Sequence, residues 1–353
     1  MTGVFDHPWL SGLFADGEIA ALWSAEVQLS HMIAFEAAWS RHGHLAGLWS
    51  EAEGASAATA IEAVSLAPEE LRDGTALDGV CVPALVRLLK ERTGANAIHK
   101  GATSQDVIDT ATALSLVRSL DLIDQRLDRL ASDLTALEDR FGPIPLMGRT
   151  RMQAAVPITV ADRVQTWRLP LLAHRDRLAQ LRPRVGLVQI GGAAGNRAAL
   201  GDGADAVCNA VAQDLGLSAP PHSWHAMRDG MAEAASLMSL ITGTLGKMGQ
   251  DICLMAQQGI DEIALSGGGG SSAMPHKQNP VLAEVLVTLA RYNAVQLSGL
   301  HQAMVHEQER SGAAWALEWM LLPQMVQATG RALVVATDVA SQITSIGTPD
   351  LLS

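Results

Sequence analysis

Apolar residues recur along much of the chain in alternating steps of four and three, the spacing that places side chains on one face of an α-helix. The clearest stripe comprises Leu116, Leu120, Ile123, Leu127, Leu130, Leu134, Leu137 and Phe141. A second stripe comprises Ala234, Met238, Ile241, Leu245, Met248, Ile252 and Met255. Similar patterns predict a third helix over about 157–182 and a fourth from 281 to about 305. Four long helices with apolar faces predict a helical bundle.

Alternating patterns typical of strands are scarce. The run VGLVQIGG at 185–192 is the one candidate for extended structure, and it ends in glycines. We therefore predict an all-α fold. Its expected organisation is an N-terminal helical domain over 1–95, a central long-helix domain over 96–310 and a short C-terminal segment over 311–353.

Composition adds an expectation about assembly. Charged residues make up 18% of the 353 residues, below the roughly 25% that is usual for soluble domains. Because so few charges leave little surface suited to water, we expect other subunits to cover part of the chain. The net charge of -12 argues against a protein that follows nucleic-acid phosphates, because such a protein needs a basic surface.

The cysteines and the N-terminus bear on location. Cys81, Cys208 and Cys253 are widely spaced and form no CxxC pair, which indicates a reducing compartment and no thiolate metal site. The first residues lack the pattern of a signal peptide, and no run of 18 apolar residues predicts a membrane span. We expect a cytoplasmic protein that has neither a membrane nor a nucleic acid as partner.

The first candidate for chemistry is the stretch GGGGSSAMPHKQNP at 267–280, called region three below. Glycines allow the backbone to approach a ligand closely and allow a loop to move. Asn279 followed by Pro280 predicts a helix start, so Lys277 and Asn279 should lie at a helix N-terminus, where an anion is favoured. The alternative is an ordinary glycine-rich connection between two helices.

Two further polar segments precede predicted helices. Region one, HKGATSQD at 99–106, comes directly before the long helix that is expected to begin near 107. Region two, GRTRMQAAVP at 148–157, carries Arg149, Arg151 and Gln153 as candidate partners of a carboxylate. Simple N-capping by Thr103 or Ser104 and a surface arginine pair are the alternatives. Three polar segments at three helix starts favour a shared anion site.

The three regions together resemble the conserved segments of the fumarase/aspartase superfamily. GSSAMPHKQNP is similar to the superfamily signature loop, HKGATSQD and GRTRMQAAVPIT resemble its other two regions, and the match covers about residues 90–325. The resemblance implies homotetramers with a central bundle of twenty helices and active sites assembled from three subunits. It also implies a shared reaction, in which a proton next to a carboxylate is removed through an aci-carboxylate carbanion.

Site residues follow from the resemblance position by position. Ser271 matches the loop serine that acts as general base, and Lys277 with Asn279 matches the pair that holds the carboxylate and its developing charge. Thr103 and Ser104 match carboxylate-binding residues, whereas His99 and Gln153 match substrate contacts. The resemblance implies neither a metal nor another cofactor.

Departures from the signature indicate a branch. Arg151 stands where several lyases of the superfamily have a catalytic histidine. Trp315, Glu318 and Trp319 form a pattern similar to that of the 3-carboxy-cis,cis-muconate cycloisomerases, and SWHAMRDGMAE at 223–233 also resembles that branch. The branch implies a small tricarboxylate substrate, for which Lys277, Arg149, Arg151 and Arg228 are candidate cations; a structural ion pair is the alternative for each arginine. The list of predicted substrate-binding residues is His99, Thr103, Ser104, Arg151, Gln153 and Asn279.

Two other functions stay open at this point. An adenylosuccinate-type lyase that eliminates fumarate would use the same loop, but a purine nucleotide substrate would bring the missing histidine and a phosphate-binding arginine where Trp319 stands. A catalytically silent helical scaffold would keep the bundle for assembly alone. It would have no need for Ser271, Lys277 and Asn279 beside a glycine-rich hinge.

Overall fold

The structure is a computed structural model that describes residues 3–270, 274 and 277–351. Its α-helices are α1 (Ser11–Phe14), α2 (Gly17–Leu22), α3 (Ala25–His42), α4 (Glu51–Glu62), α5 (Arg72–Asp78), α6 (Val82–Thr93), α7 (Ser104–Phe141), α8 (Val160–Val185), α9 (Ala204–Leu215), α10 (Asp229–Met255), α11 (Val281–Ala303) and α12 (Gly312–Gln342). Short 3₁₀ segments cover Gly43–Ala46, Pro68–Leu71, Ala198–Gly203 and Pro349–Leu351. The prediction of an all-α fold is confirmed.

The five longest helices of the described chain after residue 100 form an up-and-down bundle. Contacts between Asp121 and Arg182 at one end and Glu138 and Gln165 at the other make α7 and α8 antiparallel. In each further pair of successive helices, residues later in one helix contact residues earlier in the next, so each pair is antiparallel. As a result, α10 and α12 are parallel to α7, and α11 is antiparallel to it. The four helices predicted from the apolar stripes are all present.

The stripe on α7 explains why this helix is so long. All eight of its apolar positions from Leu116 to Phe141 are buried in one continuous core shared with α8, α10, α11 and α12. The helix starts at a Thr103 N-cap, whose backbone N–H donates to Asp106 Oδ2 at 3.0 Å. The fifth bundle helix, α12, lies mostly within the stretch that the sequence suggested was a short C-terminal segment, and its buried face belongs to the same core.

Glycines on α10 set its distance from α11. A Cβ on Gly249 would lie 2.5 Å from the Ala283 carbonyl oxygen, and a Cβ on Gly246 would lie 2.4 Å from the Ala290 Cβ. Nothing lies within 4 Å of the corresponding position on Gly243. The two helices can therefore approach at Gly246 and Gly249 only because side chains are missing there.

We expect Gly249→Ala to lower the free energy of unfolding by about 1–3 kcal/mol. The added methyl group clashes with α11, and the energetic cost of this clash exceeds the gain from the higher helix propensity of alanine. The matched variant Gly243→Ala has free space, so it should leave stability unchanged or raise it by up to about 1 kcal/mol. Denaturant titration of both variants is the measurement. Equal behaviour of the two variants would contradict close packing at Gly249.

A second core lies around the start of α7. It joins apolar residues of α3, α4, α6 and α9 with Val107 and Ala111 of α7. Fully buried members include Phe35, Trp39 and Leu85. This core fixes the turn before α7 against the N-terminal helices, so it positions region one.

The strands are short and lie in pairs: β1 (Pro145–Thr150) with β2 (Gln153–Thr159), β3 (Ile263–Leu265) with β6 (Ile343–Ile346), and β4 (Gly269–Gly270) with β5 (Gln278–Asn279), all antiparallel. The β1–β2 hairpin was not predicted. Residues 157–159 were expected to open a helix, but they belong to β2, and α8 begins at Val160. Within 185–192, Leu187 makes one parallel bridge to Ser218.

The cysteines are free thiols in the described chain. Burial raises the pKa of Cys208 and of Cys253 to about 11, so both thiols stay protonated at neutral pH and are poor nucleophiles. None of the described helices combines the length and apolar character that crossing a membrane requires. The described side chains also contain no group of three or more His, Cys, Asp or Glu residues suited to holding a metal ion.

Candidate active site

Region one forms a strained turn directly before α7. His99 has a φ of +62°, and the N–H of Lys100 donates to the carbonyl of Ile98 at 2.8 Å, so His99 is the central residue of a γ-turn with positive φ. Such turns are rare for residues other than glycine, and strain of this kind concentrates at functional sites. The ring Nδ1 lies 2.6 Å from Glu36 Oε1 on α3.

The charge on His99 is favoured by its surroundings. Although burial opposes protonation, the Glu36 carboxylate raises the pKa of His99 above its ordinary value. The side chain is 19% exposed, and its Nε2 makes no hydrogen bond to a described residue. His99 can therefore offer a positively charged N–H to an anion.

Asp106 holds the start of α7 against a neighbouring loop. Its fully buried carboxylate accepts hydrogen bonds from the backbone N–H groups of Thr103, Gly191 and Gly192, and from His225 Nε2 at 2.8 Å. Thr103 and Ser104 are only half-buried beside it. Their hydroxyls lie at the N-terminus of α7, where the helix dipole favours an anion, so a carboxylate can bind there.

Arg228 was a candidate partner for the substrate, and the structure shows an ion pair instead. Its guanidinium is 2% exposed and donates to Asp109 Oδ2 at 2.7 Å and to Glu318 Oε2 at 3.0 Å. Burial raises the pKa of Glu318, whereas the two carboxylates outweigh burial and raise the pKa of Arg228. Arg228 is therefore an ion-pair partner, which was the alternative considered for it, because both sides of its guanidinium are occupied.

Arg310 is a cation near region one that the sequence did not reveal. Its Nε donates to Gln105 Oε1 at 2.8 Å, and Gln105 is itself fixed by bonds to Asp109 and to the His225 carbonyl. Arg310 is exposed, in the loop between α11 and α12. That loop has no periodic pattern, so only the tertiary structure brings Arg310 to the start of α7.

Region two lies on the β1–β2 hairpin. Arg151 (φ +48°) and Met152 (φ +65°) form its two-residue turn, with Thr150 and Gln153 paired on either side. Positive φ at both central residues is the geometry of a type I′ turn, which non-glycine residues adopt at a cost. Arg151 and Gln153 are exposed, and no ion pair to Arg151 exists among the described residues.

Arg149 differs from Arg151. It points back into its own subunit and donates to Glu262 Oε1 at 2.8 Å, and Glu262 is almost fully buried. Arg149 is thus an ion-pair partner, which was the alternative considered for it, whereas Arg151 has no ion pair to a described residue.

Region three is described at its two ends. Gly269 pairs with Asn279 and Gly270 with Gln278, so the two ends lie side by side, and Lys277 is exposed next to them. Asn279 does not cap the following helix as predicted: it belongs to β5, and α11 begins at Val281 with Pro280 as its N-cap. Ser271 lies outside the described residues.

One chain does not bring the three regions together. Region one is at the N-terminus of α7, and region two begins after the C-terminus of that helix; at 38 residues α7 is about 57 Å long. The described ends of region three lie at the same end of the bundle as region two, because β3 pairs with β6 and Glu262 binds both Arg149 and Thr348. Region one and the described ends of region three therefore lie at opposite ends of one subunit.

A family model described as Lyase matches residues 17–295. The chain belongs to the fumarase/aspartase superfamily of lyases. The superfamily member named 3-carboxy-cis,cis-muconate cycloisomerase from Pseudomonas aeruginosa is 38% identical over 92% of this chain and 73% of its own length. The crystal structure of the 3-carboxy-cis,cis-muconate lactonizing enzyme from Pseudomonas putida has a TM-score of 0.88 at 36% identity, covering 96% of this chain and 77% of the other. A fumarate lyase from Mesorhizobium sp. BNC1 also has a TM-score of 0.88, at 31% identity and with the same coverage of both chains.

Of the two tryptophans that suggested a branch of this lyase superfamily, Trp319 lines a cavity beside region one. Trp319, Ile108 and Thr112 line a space of about 290 Å³ between α3, α7 and α12. Ile108 and Thr112 lie one and two turns beyond Ser104 on the same face of α7. Trp315 donates its indole N–H to Asp109 at 2.9 Å, so it is part of the buried network and does not line the cavity.

Proposed function

We propose that this protein is a 3-carboxy-cis,cis-muconate cycloisomerase that forms 4-carboxymuconolactone in the protocatechuate branch of the β-ketoadipate pathway. The observation that carries the proposal is the 38% identity, over 92% of the chain, to the Pseudomonas aeruginosa enzyme of that name. The sequence prediction of this activity agrees with it. The free thiols fit a reducing compartment, and we infer the cytoplasm as the location.

The reaction is an isomerisation within one tricarboxylate. One carboxylate oxygen forms a bond to a carbon of the conjugated double bond, and the electron pair moves into the neighbouring carboxylate as an aci-carboxylate carbanion. The carbanion carbon then takes up a proton. Because the attacking oxygen and the double bond belong to the same molecule, proximity supplies much of the rate, and no other reagent is needed.

The proposed residues have three roles, which are carboxylate binding, stabilisation of the carbanion and delivery of the proton. Thr103, Ser104 and the N-terminus of α7 bind one carboxylate, and His99 adds a charged N–H. Lys277 and Asn279 stabilise the carbanion, and Arg151 supplies a further cation from the hairpin turn. Ser271 delivers the proton, which is the reverse of the base role it has in elimination.

The proposed assembly is a homotetramer in which each site takes its regions from different subunits. Five long helices from each of four copies would make the central bundle of twenty. Bundle helices expose large apolar side chains that such a core would cover; these are Leu169, Leu172, Leu240, Val295 and Met320. The length of α7 supports the same arrangement, because region one can reach region three only on another copy.

The test is the loss of ultraviolet absorbance when purified protein meets 3-carboxy-cis,cis-muconate, because lactone formation removes the conjugated diene. We expect rapid loss that is unchanged by a chelator, with lactone as the product. Adenylosuccinate, offered in the same assay format, should give no fumarate. Turnover of adenylosuccinate without turnover of the muconate, by protein shown to be tetrameric, would replace the proposal with a lyase of succinyl adducts.

A further inference from the structure

Glu36 is a buried carboxylate for which the fold offers no structural reason. It is 0% exposed on α3, and its helix neighbours Phe35, Ala37, Ala38 and Trp39 belong to the apolar N-terminal core. Its Oε1 meets His99 Nδ1 at 2.6 Å, and its Oε2 has no hydrogen-bond partner among the described residues. A buried carboxylate with an unpaired oxygen is costly, and an apolar residue of similar size would fill the same space more cheaply.

The turn that Glu36 contacts is held in an unfavourable conformation. His99 has positive φ at the centre of the γ-turn, and Trp39, one turn along α3 from Glu36, donates its indole N–H to the Lys100 carbonyl at 3.2 Å. Two side chains of α3 thus hydrogen-bond to consecutive residues of the strained turn, Glu36 to the His99 ring and Trp39 to the Lys100 carbonyl. The two contacts fix the ring of His99 in one orientation, in which Nδ1 faces Glu36 and Nε2 is available to another partner.

We propose that Glu36 is the positioning residue for His99: it orients the ring through Nδ1 and keeps it doubly protonated, so that Nε2–H presents a positive charge to one substrate carboxylate at the start of α7. This inference rests on the proposed cycloisomerase function. Glu36 itself does not touch the substrate, because it is fully enclosed.

Other charges near His99 are few. Asp106 on α7 favours its protonation, Lys90 on α6 opposes it, and the neighbouring Lys100 turns its Nζ to the Leu48 carbonyl at 3.2 Å. Asp106 is also bound to His225 and three backbone N–H groups, so its charge is largely committed elsewhere. Among the residues that the structure describes, Glu36 is the carboxylate hydrogen-bonded to the ring.

The expected pH dependence of substrate binding follows from the direction in which the pKa of His99 is shifted. The pKa of His99 is raised, so the charged form persists below that pKa and is lost as the pH rises through it. Substrate binding and kcat/KM should therefore fall on the alkaline side. Removing the Glu36 charge should move this falling limb toward lower pH.

The experiment compares the whole enzyme with Glu36→Gln, which keeps the side-chain length and an oxygen for Nδ1–H but removes the charge. We expect kcat/KM near the wild-type value at acid pH, where His99 is charged in both proteins, and about tenfold lower at a pH above the His99 pKa of the variant but below that of the wild type, because a neutral donor binds a carboxylate more weakly. The matched control is Asp214→Asn, which removes the carboxylate beside the half-exposed His42 on the same side of the molecule. Its pH profile should coincide with that of the wild type.

Two measurements need no turnover, so they separate this inference from the proposed function. Nuclear magnetic resonance titration of His99 in the wild-type enzyme, assigned with His99→Gln, should give a pKa above that of an ordinary histidine. Calorimetric binding of tricarballylate, a saturated tricarboxylate, should weaken above that pKa in the wild type and at lower pH in Glu36→Gln. A His99 pKa at or below the ordinary value, or superimposable profiles of wild type and Glu36→Gln, would overturn the proposal even if the enzyme turns over the muconate.

Discussion

Ser271→Ala should fold and assemble like the wild type but turn over 3-carboxy-cis,cis-muconate about a thousandfold more slowly, the usual size of a lost acid–base group. The physical reason is that alanine has no hydroxyl to exchange a proton with the carbanion carbon. Binding of the carboxylates should persist, because Lys277, Asn279 and the start of α7 are unchanged. Steady-state kinetics should therefore show the loss in kcat, with KM changed little.

Ser272→Ala is the matched control, because it removes the same atom from the adjacent position of region three. We expect it to retain most of the activity. Size-exclusion chromatography and circular dichroism of both variants establish that assembly and helix content are intact. Near-normal turnover by Ser271→Ala would remove this residue from the mechanism, and a large loss in Ser272→Ala alone would transfer the proton step to Ser272.

Two inactive variants should restore activity when they share a tetramer. A Thr103→Ala/Ser104→Ala double variant is defective in region one, and Ser271→Ala is defective in region three. In a random mixture about one quarter of the sites would draw both regions from intact subunits, so up to about one quarter of wild-type activity should return. The reason is the length of α7, about 57 Å, because region one and the described ends of region three lie at opposite ends of the bundle that this helix spans.

The comparison requires subunit exchange. The variants are co-expressed with different affinity tags, and the doubly tagged tetramers are isolated and assayed beside each parent. A mixture of Ser271→Ala with Lys277→Ala is the control, because both defects lie in region three and no site can escape both. Activity that stays at the level of the parents in the first mixture would show that each subunit builds its own site.

The apolar periodicity was sufficient to predict the bundle, because a helix that buries one face must repeat its apolar residues at helical spacing. It failed at the β1–β2 hairpin and at α12. Residues 157–159 are compatible with a helix or a strand, and they form a strand because they pair with β1. The α12 sequence is apolar on several sides and interrupted by Pro323, so no single stripe marked it as a bundle helix.

The site was predictable in its residue types but not in its geometry. The motifs placed His99 and Thr103 before the start of α7, where the structure has them, but Lys277 was expected at a helix N-terminus and instead lies directly before β5. They could not indicate that Arg228 is enclosed by Asp109 and Glu318, because those three residues lie far apart in sequence. Glu36 escaped notice for the same reason: a single glutamate within a helix carries no signal until the fold places it against His99.

The buried network of Asp109, Arg228 and Glu318 determines how the bundle helices are positioned lengthwise against one another. Apolar stripes that repeat in steps of four and three would fit nearly as well after one helix slides by seven residues, about 10 Å along its neighbour. Such sliding would separate Arg228 from both carboxylates and leave buried charges unpaired, at a cost of about 3–5 kcal/mol. The three residues thus fix the lengthwise positions of α7, α10 and α12 relative to one another, and with them the positions of the bundle ends that neighbouring copies must match.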